Sequence, residues 1–559
     1  MFTKPTPSIA RAAAAGTGAG CLLLLVACGV APADVATPHV MDPEAPVAVT
    51  GGEVRGGLSA VNPDIVAFKG IPFAAPPVGD LRWRPPQPVA AWDGVRDASE
   101  PGSSCVPNPG DATGEDCLYL NVWAPRETSE PLPVLFWIHG GGFSSGSGST
   151  PIYDGARLAA EGAVVVTINY RLHVFGFLAH PALSAESAHG ASGNYGLLDM
   201  VAGLEWVRDN IASFGGDPDR VTIFGESAGG GAVMSVMLMP QAGGLFHGAI
   251  AQSNWIHGWD RALDAPARGW EAAEVQGLRV SAALGIAGDE EDPLAAMRAA
   301  GATDVLKAAN ADGGSPFLRT GNVWAPNVDG WAIPDDPLAM YREGRQHAVP
   351  LVTGMNGNEG SMMTRGMNIT DAEAFEAHVR TVYPDLADEM LAHYDASSPE
   401  TAKAAIDKVI HDLFFAGPVR AQAEAQTATG APTWLYHFTH VPPTAWGAEL
   451  GSHHAAELVY VFGTLAPREE GDESALGPFA AGDFTEADMQ LSETMRAYWV
   501  QFAATGNPNR EGLPAWPAFN ADSDEHLELA TTVAPGAGLE VAGAALWETR
   551  ESQRRGEAN

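Results

Sequence analysis

Two serines lie in the pattern G-x-S-x-G, which can hold a nucleophilic serine on a tight turn between a strand and a helix. Ser144 lies in HGGGFSSGSG and Ser227 lies in TIFGESAGGG. Only Ser227 has both flanks, because the strand-like run 220–224 precedes it and the helical run 228–239 follows it. A serine- and glycine-rich loop follows Ser144 instead. We therefore predict that Ser227 is the nucleophile and that Ser144 is an ordinary loop residue.

The stretch around Ser144 has a second interpretation. HGGG (139–142) follows the strand-like run 133–139, and consecutive glycines let backbone N–H groups point at a developing oxyanion without obstruction. The residue after the nucleophile supplies a further N–H group. The sequence therefore predicts an oxyanion hole formed by Gly141, Gly142 and Ala228; the alternative is a flexible turn with no such role.

Strand-like runs alternate with helical patterns along the chain. Buried strands are predicted at 133–139, 163–170, 220–224, 248–253, 348–354 and 432–440. A helical spacing of apolar residues covers 197–211, and the helical stretches 260–345 and 361–430 are predicted to build a cap. This alternation predicts an α/β fold with a large, mostly parallel central sheet flanked by helices and with its chemistry at the carboxyl ends of the strands.

Longer stretches of the chain resemble the type-B carboxylesterase family, which includes cholinesterases and bacterial p-nitrobenzyl esterases. FGGDPDRVTIFGESAGG resembles the family's serine signature and EDCLYLNVWAP its second signature. The other matching stretches are KGIPFAAPPVGDLRWRPP, INYRLHVFGFL, GNYGLLDM and TGNPN. The similarity runs from about residue 49 to about residue 550. It implies an α/β-hydrolase fold with helical cap insertions and the hydrolysis of carboxylic esters.

The resemblance also implies a Ser-Glu-His triad in that chain order. The acid of the family lies in a G-x-N-x-x-E-G turn after a strand, which here is GMNGNEG and identifies Glu359. The histidine lies in a pattern similar to HAAELVYVFG, which identifies His454 as the base. Its neighbour His453 is the alternative, because the alignment of a loop can be wrong by one residue.

Four further residues match positions with supporting roles in the family. Glu226, beside the nucleophile, is expected to shape the electrostatics of the site, and Ser253 is expected to lie close to the acid. Arg82 and Glu115 are expected to form an ion pair. The resemblance requires no metal and no organic cofactor, and C-x-x-C and H-E-x-x-H are both missing from the sequence.

The composition limits the partners. The formal net charge of −37 argues against binding of nucleic acid or anionic lipid headgroups. We therefore expect a small-molecule ester substrate, no nucleic acid, and a monomer that meets a membrane only through an N-terminal lipid.

The N-terminus is typical of an exported bacterial lipoprotein. The apolar stretch 12–27 suits a signal peptide and is short for a membrane-spanning helix. The letters LVAC place Cys28 where a lipobox would be cleaved and lipidated. The alternative is an ordinary secretory signal. Both predict export, to the periplasmic or cell-surface side of a membrane for the lipoprotein. The predicted division is signal peptide 1–27, lipid anchor and flexible tether 28–48, single hydrolase domain 49–550, and polar tail 551–559.

The remaining cysteines of an exported chain predict a disulfide. Cys21 would leave with the signal and Cys28 would carry the lipid, so Cys105 and Cys117 remain as a pair. Two buried thiols are the alternative.

The residues between the two cysteines bear on the substrate. Stretch 106–116 contains no aromatic residue, whereas cholinesterases hold the choline cation there on a Trp by a cation–π contact. The acyl-pocket phenylalanines of those enzymes are also missing near 318–330, which offers only Trp324. A general esterase is therefore expected. A lipase, a hydrolase of polyesters or natural-product esters, and a non-catalytic binding protein on this fold are the alternatives.

Overall fold

An eleven-stranded sheet forms the centre of the protein. The computed structural model describes residues 39–108, 112–254, 260–286, 290–311, 323–467 and 481–556. Its strands are β1 (His39–Val40), β2 (Val47–Val49), β3 (Gly52–Arg55), β4 (Gly57–Leu58), β5 (Ile65–Pro72), β6 (Val95–Asp97), β7 (Ser104–Cys105), β8 (Thr113–Gly114), β9 (Tyr119–Pro125), β10 (Glu127–Thr128), β11 (Leu132–Ile138), β12 (Val164–Ile168), β13 (Gly216–Glu226), β14 (Gly248–Gln252), β15 (Leu351–Asn356), β16 (Thr433–Phe438), β17 (Ala466–Pro467), β18 (Ala481–Gly482), β19 (Glu525–Leu529) and β20 (Ala534–Ala537).

Helices connect the strands. They are α1 (Ala156–Ala159), α2 (His173–Phe177), α3 (Pro181–Glu186), α4 (Tyr195–Asn210), α5 (Ala228–Leu238), α6 (Ala273–Ala283), α7 (Pro293–Ala299), α8 (Ala302–Ala309), α9 (Pro337–Arg342), α10 (Gly360–Met363), α11 (Ala372–Val382), α12 (Ala387–His393), α13 (Pro399–His411), α14 (Gly417–Ala428), α15 (Ala445–Leu450), α16 (Leu458–Phe462), α17 (Glu486–Thr505) and α18 (Val541–Arg555). No helix in the described ranges is long and apolar enough to cross a bilayer.

The strand order is β20-β19-β16-β15-β14-β13-β11-β12-β9-β5-β4. The seven strands from β19 to β12 run parallel, and the strands at both margins are antiparallel. This is the mostly parallel sheet of an α/β-hydrolase, as the sequence predicts. The six predicted strands and the helix predicted at 197–211 are confirmed, with ends that differ by a few residues.

Both faces of the sheet are covered, because alternate side chains of a strand point to opposite sides. In β11, Val134, Phe136 and Ile138 join one hydrophobic core, which also takes side chains of α4 and α5. Leu135 and Trp137 join a second core, which takes side chains of α16 and α17. Double burial explains why these strands are continuous apolar runs in the sequence.

Both predicted ends of the folded domain need correction. Residues 38–559 form one compact unit. The expected tether of residues 28–48 is too long, because β1 pairs with β10 and Met41 is 3% exposed. The prediction of a polar tail over residues 551–559 is wrong at its start, because α18 continues to Arg555. Arg554 forms an ion pair with Asp260, and Arg555 forms one with Asp336. Cys28 lies outside the described residues.

Candidate active site

Ser227 lies on a strained turn between β13 and α5, with φ 58° and ψ −123°. A positive φ costs a residue with a side chain about 1–3 kcal/mol and persists only where the surroundings enforce it. A Cβ on Gly229 would overlap the carbonyl oxygen of Ile138, and one on Gly225 would lie 2.5 Å from the backbone of Gly229. The two glycines of the motif therefore permit the turn. Ser227 is half-buried, whereas the residues on either side of it are buried.

Ser144 lies in a different setting. The N–H groups of Ser144 and Ser145 both donate to the carbonyl oxygen of Gly141, which closes a tight loop. No helix starts at this serine, since the next helical turn is Pro151–Tyr153. Of the two G-x-S-x-G matches, only Ser227 has the strand–turn–helix geometry.

The glycine loop after β11 packs against the Ser227 turn. A Cβ on Gly140 would lie 2.8 Å from the carbonyl oxygen of Glu226 and 3.1 Å from the Cβ of Ser227. Gly141 and Gly142 have φ angles of 107° and 62°, and neither N–H donates to another described residue. The N–H of Ala228 has no acceptor within α5, because it belongs to the first helical residue. The structure thus leaves the three predicted N–H groups without a protein acceptor among the described residues.

Glu359 and His454 meet beyond the carboxyl ends of neighbouring strands. Glu359 follows β15, and its Oε2 lies 2.5 Å from Nδ1 of His454. Its Oε1 accepts hydrogen bonds from the Ser253 hydroxyl at 2.6 Å and from the Asn356 backbone N–H at 2.6 Å. Burial alone would raise the pKa of Glu359, but the imidazole of His454 and these hydrogen bonds lower it below its usual value. Glu359 therefore remains a carboxylate.

The second nitrogen of His454 faces the Ser227 turn. Nε2 lies 3.1 Å from Oε1 of Glu226, the residue before the serine, and has no hydrogen-bond partner among the described residues. The ring also packs against Phe415, with centroids 4.9 Å apart. His454 is 2% exposed. The imidazole is therefore fixed at Nδ1 and on one face, and its Nε2 makes no hydrogen bond within the part of the chain that the structure describes.

Three buried carboxylates set the charge of His454. Burial alone would lower the pKa of His454, but Glu226, Glu359 and Glu457 outweigh burial and raise it to about 9. Burial raises the pKa of Glu226 to about 8, and the neighbouring carboxylates act in the same direction against the opposing effect of His454. His454 and Glu226 therefore influence each other's protonation, because each shifts the pKa of the other. Glu359 stays ionised.

The carboxylesterase family model matches residues 43–546. The chain belongs to the carboxylesterase family. It is 37% identical over 499 residues to the fumonisin B1 esterase of Sphingopyxis macrogoltabida, covering 87% of each chain. It is also 37% identical over 499 residues to the para-nitrobenzyl esterase of Bacillus subtilis, covering 86% of this chain and 93% of that one. A solved PNB esterase structure matches with a TM-score of 0.76 and 34% identity, covering 90% of this chain and all of that one. The protein is a carboxylic ester hydrolase with the α/β-hydrolase fold.

A buried polar network, which was not predicted from the sequence, lies behind the triad candidates of this carboxylesterase. Glu457 accepts hydrogen bonds from Gln252 at 3.0 Å and from Asn356 at 2.6 Å. Trp499 donates to Gln252 at 3.1 Å, and Asn356 also donates to the carbonyl oxygen of His453. Burial raises the pKa of Glu457, against the lowering effect of the Asn356 hydrogen bond. The only sequence signal was the glutamate three residues after His454.

The predicted ion pair and the predicted disulfide of this carboxylesterase are both present. Arg82 binds Glu115 through two hydrogen bonds, of 2.7 Å and 2.5 Å, and also donates to carbonyl groups at the end of α7. Cys105 and Cys117 form a disulfide with a Cα–Cα distance of 5.0 Å, so the expectation of a disulfide is confirmed.

One cluster in the described residues has metal-ligating chemistry. His411, Asp412 and Glu540 bring three ligand atoms within 4.8 Å of one another. The Nζ of Lys408 already lies 2.8 Å from Asp412 and 2.5 Å from Glu540. The ammonium group of Lys408 therefore lies where a metal ion would bind these carboxylates, and the cluster does not require a metal for charge balance.

Proposed function

We propose that Ser227, Glu359 and His454 hydrolyse carboxylic esters through a covalent acyl-enzyme. As Ser227 Oγ attacks the ester carbonyl, its proton passes to His454 Nε2, and Glu359 stabilises the imidazolium. The tetrahedral intermediate expels the alcohol, which takes the proton from His454. Water then attacks the acyl-enzyme, with His454 again as base, and releases the acid. The Glu359–His454 contact of 2.5 Å beside the strained turn of Ser227 is the observation that carries this assignment.

The oxyanion hole follows from the same geometry. We propose that the N–H groups of Gly141, Gly142 and Ala228 bind the oxyanion of both tetrahedral intermediates. Their support is the packing of the glycine loop on Ser227 and the lack of protein acceptors for these groups within the described ranges. Loss of one such donor costs about 3–4 kcal/mol in comparable enzymes.

We propose esters of uncharged alcohols or phenols, with acyl groups longer than acetyl, as the substrate class. Trp324 offers no aromatic face to a cation, because it is 4% exposed and its ring lies against His173. Trp255 and Trp259, the other aromatic residues near the strand ends in sequence, lie outside the described residues. The name of the para-nitrobenzyl esterase of Bacillus subtilis agrees with this class, because the para-nitrobenzyl group is uncharged.

A comparison of esters tests this substrate class. We expect the kcat/KM for p-nitrophenyl butyrate or hexanoate to exceed that for acetylcholine by at least about tenfold, about 1.4 kcal/mol in the barrier. The physical reason is the missing cation–π contact, worth about 0.5–2 kcal/mol. A series of p-nitrophenyl esters of rising chain length, measured beside acetylcholine at physiological salt, decides the result. A maximum at long chains indicates a lipase, and equal turnover of acetylcholine contradicts the proposed class.

The carboxylate beside the nucleophile should set the pH dependence. The neutral imidazole is the base, so activity appears as the pH rises through the pKa of His454, which the carboxylates raise. Glu226→Gln removes the foremost of these carboxylates and should move the acid limb of kcat/KM down by about one pH unit. The exposed Glu205 offers a matched control, and Glu205→Gln should leave the limb in place. An acid limb of kcat/KM that lies at the same or a higher pH in Glu226→Gln than in the wild type contradicts this electrostatic role.

We also propose that the enzyme is exported as a lipoprotein anchored at Cys28. The sequence LVAC supports the lipidation site, and the disulfide between Cys105 and Cys117 is typical of an oxidising compartment. Mass spectrometry of the membrane fraction should find Cys28 as the lipidated first residue. A Cys28→Ser variant should appear uncleaved or in the soluble exported fraction. A wild-type protein whose mature chain starts at another residue contradicts the anchor.

A further inference from the structure

A second buried histidine contacts the proposed catalytic acid. His411 is the last residue of α13 and is 1% exposed. Its Nδ1 accepts a hydrogen bond of 3.3 Å from the backbone N–H of Glu359. The proposed mechanism uses neither ring nitrogen of His411. The contact is nevertheless made to the backbone of the residue whose carboxylate orients His454.

The surroundings of His411 select one tautomer. Nδ1 can accept a hydrogen bond only without a proton, so in the neutral ring the proton lies on Nε2. Nε2 faces Oε1 of Glu540 at 3.4 Å, and the other oxygen of Glu540 is bound by Lys408. The hydrogen bond with His411 and the ammonium of Lys408 hold the pKa of Glu540 well below its usual range. An anion therefore faces Nε2 and favours the proton there.

The turn that carries Glu359 is pressed onto α13. A Cβ on Gly360 would overlap the backbone carbonyl of Asp407, one helical turn before His411. Lys403 and Asp407 also bind the hydroxyl of Thr364 at the end of α10. The acid turn can therefore move little without disturbing α13, which makes the His411 contact well defined.

The same segment also contacts the proposed base. A π-helical turn (Asp412–Ala416) follows α13, and its Phe415 packs on the ring of His454. His411 and Phe415 are four residues apart and contact the two members of the Glu359–His454 pair. π-Helical turns within α-helices are frequent at functional sites, because they redirect side chains.

We propose that His411 is a positioning residue of the triad. With its proton on Nε2, the ring accepts a hydrogen bond from the N–H of Glu359 through Nδ1. This hydrogen bond fixes the backbone of Glu359 and thereby orients its carboxylate toward His454. This inference rests on the proposed function, because it assumes that Glu359 and His454 act together in catalysis.

Two substitutions at His411 separate positioning from packing. His411→Phe keeps a ring but removes the acceptor, and it should lower kcat by about tenfold or more with little change in KM. His411→Asn has less volume but can place an oxygen near Nδ1, and it should recover most of the lost kcat. Tyr394→Phe is the control, because it removes only the 2.9 Å hydrogen bond to Asp412 in the same cluster. Equal losses in both His411 variants, or no loss in His411→Phe, would overturn the proposal.

The division between kcat and KM is the measurement that a packing role would not change. A loss of packing lowers the thermal midpoint, whereas a loss of positioning lowers kcat at an unchanged KM in a protein that is still folded. A loss of kcat that follows the thermal midpoint across the three variants contradicts the proposal. A His454→Asn protein that keeps full activity would instead refute the proposed function, so the two failures are distinguishable.

Discussion

Ser227→Ala should lower the kcat of ester hydrolysis by about 10⁵- to 10⁶-fold, to the level that binding and the oxyanion hole provide alone. The substitution removes the oxygen that we propose forms the acyl-enzyme. It should not prevent folding, because alanine must adopt the same φ of 58° as serine, with the same flanking glycines. The thermal midpoint should therefore stay close to that of the wild type. Turnover of p-nitrophenyl butyrate and covalent labelling by an organophosphonate are the two measurements.

The other G-x-S-x-G serine supplies the matched control. Ser144→Ala removes the same hydroxyl from a loop in which the backbone N–H, not the side chain, binds Gly141. Both hydrolysis and labelling should survive in this variant. Labelling that persists in Ser227→Ala and disappears in Ser144→Ala would reverse the assignment of the two motifs.

The position of Ser227 could be predicted because it depends on local features. A strand, a helix and two glycines lie within a few residues of the serine, and this local chemistry enforces the strained turn. Glu359 and His454 were identified from the resemblance, and the structure places them in contact. The parallel sheet was predictable for a related reason: strands buried on both faces, such as β11, appear as uninterrupted apolar runs.

The site residues that could not be predicted from the sequence depend on contacts between distant parts of the chain. His411 is a histidine within a helix, and nothing near it in sequence shows that Nδ1 binds the backbone of Glu359. Glu457 was visible as part of a motif, but its hydrogen bonds to Gln252 and Asn356 come from two other strand ends. The predicted tether failed similarly, because residues rich in proline and alanine gave no sign that β1 pairs with β10.

The structure also explains why one histidine of the pair 453–454 suits the role of base. His453 is fully buried, its Nδ1 lies 2.7 Å from the carbonyl oxygen of His454, and its ring packs edge-on against Trp446. Burial lowers the pKa of His453, whereas the carboxylates raise that of His454. Adjacent residues thus have opposite electrostatic environments, and only His454 contacts Glu359.

His454→Asn should lower kcat by several orders of magnitude, in the range of about 10⁴- to 10⁶-fold found when a triad member is removed. The amide can still donate to Oε2 of Glu359, so the variant removes Nε2, the proposed proton acceptor, while leaving the acid paired. The same substitution at the neighbouring position is the control, because the amide of His453→Asn can still donate to the carbonyl oxygen of residue 454. It should retain activity within about tenfold, and any loss should follow the loss of thermal stability that truncating a buried side chain causes. The decisive comparison is single-turnover acylation of both variants by p-nitrophenyl butyrate. Rapid acylation by His454→Asn together with none by His453→Asn would place the base one residue earlier and would break the link between Glu359 and catalysis.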